Sequence, residues 1–165
     1  MELSPEQLAT LKAAIIADPT AGPIRTAGDT YSLLEWCNGP SATRAWRTSV
    51  AGSEVYNAHK PVEYIARSAA ERQAFDLMCC GDRSHDFTVA AKRNGVADIF
   101  SGATNSSSRT AIFTVAQEYA TKAQLVLGGT TVSVGGTANM SETVSALKRN
   151  WSGAVSQDEA NRLVS

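Results

Sequence analysis

The chain is 165 residues long, enough for one domain that buries a real core, and its 43% hydrophobic content is ordinary globular usage, which excludes wholesale disorder. Charge is balanced, 15 basic residues against 16 acidic, and the longest basic pair is Lys148-Arg149, so the basic face that releases counterions from a duplex is missing and nucleic acid is a poor candidate partner. No apolar run approaches the roughly 18 residues of a membrane span, and the N-terminus lacks the basic-then-apolar order of a signal peptide.

The first helix is announced by Ser4 as N-cap, Pro5 at the first helical position and Gln7 where a capping box wants Glu or Gln. Leu3 and Leu8 are placed for a hydrophobic staple, Leu8, Leu11 and Ile15 make one stripe, and Asp18-Pro19 stops it. A loop rich in Pro, Gly and Thr runs through Gly28. Asp29 then caps a short helix containing Leu33, Leu34 and Trp36, which Asn38-Gly39-Pro40 ends. Ser41 opens another short helical segment containing Trp46. From Val50 to Pro61 the pattern is irregular and reads as loop with about one helical turn. Ser68 and Glu71 form a second capping box, leading into a helix with Ala74, Phe75 and Met78 on one face and Gly81 after its end. Ser84 is read as the cap of a helix from His85 to about Phe100, with Phe87, Ala90, Ala91, Ala97 and Phe100 inward and Gly95 a weak point.

The longest periodic stretch is Ser107 to Gly129. Ile112, Val115, Ala116, Tyr119, Ala120, Ala123, Val126 and Leu127 recur at helical spacing, with a serine run before them and Gly128-Gly129 after. It reads as one central helix over about 107–127. The period then shortens to two: Thr131 to Val134 alternate, Gly135-Gly136 reads as a two-residue turn, and Thr137 begins a return strand. A lone hairpin near 130–138 is marginal in water, so it should lie on the helices or on another subunit, which makes Val132 and Val134 candidate interface residues. Ser141 is read as the cap of a short helix through Arg149, and Ser156 with Glu159 forms a third capping box before a last helix. The expected fold is mainly α, a single domain over 1–165 around one long central helix, with 129–165 as an extension that can reach neighbouring subunits.

No catalytic signature is present. Ser84, His85 and Asp86 are adjacent in sequence, whereas the members of a triad meet from separate segments, and the only other histidine is His59. Both histidines read as surface residues. Cys79-Cys80 is vicinal without a second ligand pair, and Asp76, Asp82 and Asp86 are too scattered for a calcium loop. The glycines from Gly128 to Gly136 follow a helix and lack a Gly-Lys-Ser/Thr ending, so they do not make a phosphate loop. No enzyme activity, cofactor or metal is expected. Three cysteines, Cys37, Cys79 and Cys80, suit a reducing compartment and inert thiols, where the Asn-x-Ser triplets at Asn105, Asn139 and Asn150 carry no glycan. Core packing is the default for Trp36, Trp46 and Trp151. An amphipathic ring in a poorly periodic segment is also an interface anchor, so Trp46 and Trp151 are kept as interface candidates.

The order of segments resembles a family of small virion structural proteins of tailed bacteriophages. The opening LSPEQLATLKAAIIADP is similar to the family's N-terminal helix, and Trp46 to Val50 to its short Trp-containing motif. Ala97 to Ala103 resembles the end of the helix before the central one, Arg109 to Ala111 and Ala120 to Ala123 the start and middle of the central helix, and Trp151 to Ser156 an aromatic-x-Gly turn before a capped helix. The family usually carries Arg and Glu where Lys122 and Gln124 stand, so subunit salt bridges that those charges make in relatives are not implied here. Lys122, on the polar face of the central helix that can meet water or a partner, is kept as an interface candidate, and Glu142 to Asn150 looks like an insertion. The resemblance implies a non-enzymatic component of the virion, in the host cytoplasm during assembly. It would be a head-to-tail connector, neck or tail protein whose partners are copies of itself and other phage virion proteins. An assembly chaperone or scaffold lost from the mature particle is the alternative.

Overall fold

A computed structural model of the chain describes residues 2–81, 83–102 and 106–165. In chain order its first elements are α1 (Pro5–Ala17), α2 (Ala21–Thr26), α3 (Thr30–Asn38), β1 (Pro40–Trp46), β2 (Val50–Ala51), α4 (Gly52–Ala58), α5 (Pro61–Ile65) and α6 (Ala69–Cys79). There follow β3 (Ser84–His85), α7 (Ala90–Ile99), α8 (Ser107–Val115), β4 (Gln117–Thr121), α9 (Lys122–Val126), β5 (Gly129–Thr137), β6 (Met140–Arg149) and α10 (Gln157–Val164). Among the described residues helix takes 52% and strand 22%, and a four-stranded mixed sheet has the order β4-β1-β6-β5, so the fold is α/β where mainly α was expected. β1 and β6 run parallel with Ala45 opposite Leu147, while β2 and β3 form a separate antiparallel pair.

Packing divides the chain into two compact units. The first comprises Met1–Arg44, Tyr119–Thr130 and Arg149–Ser165. Its core gathers Leu11 and Ile15 from α1, Leu33 and Cys37 from α3, Ala123 from α9, Trp151, and Ala160 and Leu163 from α10. The Glu159 carboxylate closes the α10 capping box on Ser156 and also accepts the Leu3 backbone N–H at 2.6 Å. Asn38 donates to the Val155 carbonyl and accepts the Val155 N–H, at 2.9 and 2.8 Å, so one amide satisfies both backbone groups of that residue.

The second unit comprises Ala45–Glu118 and Thr131–Lys148. Trp46, Phe75, Phe87, Phe100, Ile112, Phe113 and Met140 fill its core. Glu63 of α5 sits at the start of α8, where its carboxylate accepts from the Ser106 hydroxyl at 2.6 Å and from the Ser107 and Ser108 backbone N–H groups at 2.8 and 3.0 Å. Burial alone would raise its pKa, but these hydrogen bonds outweigh it and hold the group at about 2, against an ordinary 4.5. Because the folded value is the lower one, Glu63 adds stability above about pH 4.5 that is lost as pH falls toward about 2. Denaturant midpoints measured across that window should fall for the natural chain and fall less for Glu63→Gln.

The expected central helix over 107–127 is three elements. α8 ends at Val115, the chain extends as β4, and the Thr121/Gln124 capping box restarts helix at Lys122. Ile112, Ala116, Ala120 and Ala123 are all buried, so the apolar spacing is satisfied without one continuous helix. The break is fixed by backbone pairing: Arg47 N–H donates to Ala116 O and Lys122 N–H to Gly39 O, each at 3.0 Å.

The hairpin is also longer than expected, β5 and β6 joined at residues 138–139. Gly136 stays in β5, and Gly135, at φ +105°, lies where a Cβ would strike the Glu142 carbonyl oxygen. The stretch from Ser141 to Arg149 is strand, not helix. Met140, Glu142, Val144 and Ala146 point one way, and a charged residue on the inward face hides this alternation in the sequence. Likewise Pro40–Trp46 is a strand in place of a helix capped by Ser41. Ser84 pairs with the Ser49 hydroxyl and caps nothing, while the Asp86 carboxylate accepts from Thr88 N–H at 2.8 Å in a local turn, so α7 begins only at Ala90. The segment read as loop through Gly28 contains α2, and Val50 to Pro61, read as loop with about one helical turn, contains α4; α5 follows, with Pro61 at its first position.

Candidate interaction site

Three of the five interface candidates lie inside their own units. Trp46 is fully buried at the end of β1, its indole N–H donating to Val132 O at 3.1 Å and its ring meeting Phe113 edge to face, with centroids 5.7 Å apart. Val134 is buried in the same core, and Trp151 is buried in the first unit's core. These rings and side chains have their surfaces taken up by packing within the subunit. Val132 is half-buried against the second unit's core, so the pair on β5 faces inward.

Lys122 is the candidate that stands at a surface. It is the first residue of α9, and its ammonium lies 5.1 Å from the centre of the Trp36 ring. The two residues border an open groove of about 680 Å³ on the first unit. Ala14, Ala17 and Ala42 supply short side chains to it, and Trp36, Leu125 and Val126 supply bulk. Leu125 is 44% exposed, a large aliphatic chain left in water. Asp18 adds one negative charge. Backbone N–H groups of Ala21 and Thr20 hold its carboxyl below the usual range, and Lys122 acts in the same direction. Gln124, next along α9, faces the other way: its amide donates to Gly153 O at 2.8 Å and accepts from Thr121 N–H and Arg149. Trp36 carried no signal in the sequence beyond an apolar position in a short helix, and Leu125 lay within the expected central helix but off its apolar stripe.

The other polar groups singled out do not converge. His85 is buried, which lowers its pKa, and its Nε2 contacts the Met78 carbonyl at 2.6 Å, an acceptor that fixes the proton on that nitrogen of the neutral ring. His59 is half-buried among Tyr56, Tyr64 and Phe75, so neither histidine is the surface residue expected. Burial pushes the Cys37 and Cys79 thiols up to about 12, which leaves both protonated and unreactive near neutrality. Asp82, Ala103 and Asn105 lie outside the described residues. Among the described residues no group of three or more His, Cys, Asp or Glu side chains could hold a metal ion, and no helix is long and apolar enough to cross a membrane. What the groove offers is apolar contact, one half-buried aromatic ring with its cation, and one carboxylate. No family model, curated protein or solved structure matches the chain.

Proposed function

We propose that the chain is a bacteriophage virion structural protein, a head-to-tail connector, neck or tail component that works as a symmetric homo-oligomer. The observation that carries this reading is the open apolar groove bordered by Trp36, Lys122 and Leu125, a surface that water solvates poorly and a protein neighbour covers well. The resemblance of its segments to small virion proteins supports the same role. On this reading the protein acts by shape and contact in the particle, after assembling in the host cytoplasm. Quantitative mass spectrometry of purified particles tests it: the chain should be present in a fixed multiple of copies. Abundance in infected cells with none in finished particles would instead make it an assembly chaperone or scaffold.

A further inference from the structure

Resting on the homo-oligomer reading, we infer that the groove on the first unit is filled by Val62 and Ile65 of α5 from a second copy of this chain. Helix α5 is amphipathic the wrong way round for a solvated surface. Val62 and Ile65, one turn apart on one face, are 81% and 68% exposed. The residues between them turn inward to polar partners: Glu63 holds the start of α8, and the Tyr64 hydroxyl bonds the Asp76 carboxylate at 2.8 Å. Those bonds fix the helix about its axis, so it cannot roll to bury its apolar pair.

The two surfaces match in size and charge. The pair forms a small apolar knob, and the alanine floor of the groove leaves room between Trp36 and Leu125 for branched side chains. Lys60, exposed immediately before α5, complements Asp18 on the groove wall. Because knob and groove are different surfaces, two copies can exchange them reciprocally about a two-fold axis, or the contact can repeat head-to-tail into a ring or filament.

Association of the full chain by sedimentation velocity over a concentration series tests this, using two variants at exposed positions. Val62→Asn with Ile65→Asn removes the knob, and Ala17→Gln with Leu125→Gln blocks the groove. The natural chain should self-associate, and each variant alone should associate at least about tenfold more weakly. An equimolar mixture of the two should stop at a heterodimer, since one intact knob and one intact groove remain. Thermal unfolding confirms that the variants fold. If either does not, Ile65→Cys with Leu125→Cys in a Cys80→Ser background, oxidised with glutathione disulfide, should give intermolecular cross-links that neither single cysteine gives. A natural chain that stays monomeric, variants that associate as it does, or a mixture that stays monomeric would overturn the inference. Particles that incorporate the knob variant at full copy number would sink this contact and leave the virion role standing. Absence of the natural chain from particles would remove the role, and the solution experiment would still decide the contact.

Discussion

Replacing Glu142 by Leu should destabilise the fold by about 3–5 kcal/mol, the cost of stranding a buried charge. The charge is Arg109, on α8 with its side chain 0% exposed, while the Glu142 side chain keeps 22% exposure. The guanidinium donates to Glu142 through Nε at 2.8 Å and through Nη2, and to the Phe100 carbonyl through Nη1 at 2.6 Å. Arg109→Leu should cost less, because the Glu142 side chain left behind is 22% exposed and has solvent within reach once released. The double variant Arg109→Leu with Glu142→Leu should be more stable than Glu142→Leu alone, since no charge then remains to be desolvated. Urea unfolding of the four chains gives the coupling energy directly. Equal losses in both single variants, adding in the double, would refute the account of this pair.

Gly135→Ala should be the most damaging single-methyl change, lowering unfolding free energy by about 3 kcal/mol or more. Its φ of +105° suits no L side chain, and an added Cβ points into the Glu142 carbonyl oxygen, which is backbone and cannot swing away. Gly136→Ala, one residue on, is the control. Its φ of +68° costs about 1–2 kcal/mol, but its Cβ would meet only the Thr143 hydroxyl at 3.5 Å. Amide exchange should show β6 losing protection in the first variant and keeping it in the second. Similar losses in both would mean that backbone conformation alone, and not the close approach to β6, sets the requirement for glycine.

These two sites show why the sequence was legible in some places and not in others. Five helix starts are readable from a local cap, although Ser41, Ser84 and Ser141 carry the same kind of signal and start no helix. Ser4, Asp29, Ser68, Ser106 and Ser156 each accept the backbone N–H three residues on, as their spacing predicts. Gly128, at φ +77°, follows the end of α9 as expected. What was not legible depends on distant partners. Glu142 on an inward strand position makes sense only beside Arg109, and without that ion pair residues 141–149 pass for a helix. β4 interrupts a helical period because β1 offers its backbone a ladder, a preference that no window around Tyr119 contains. Trp46 and Trp151 looked like anchors because their segments are short, yet each short segment delivers its ring to a core. Lys122, on the polar face of the expected central helix, is the candidate that borders the groove.

A reconstruction of the intact particle should show copies of this chain arranged symmetrically about the head-to-tail axis, with each Trp36–Leu125 groove covered by a neighbouring copy. Complete, infectious particles with no density for the chain would contradict the virion role.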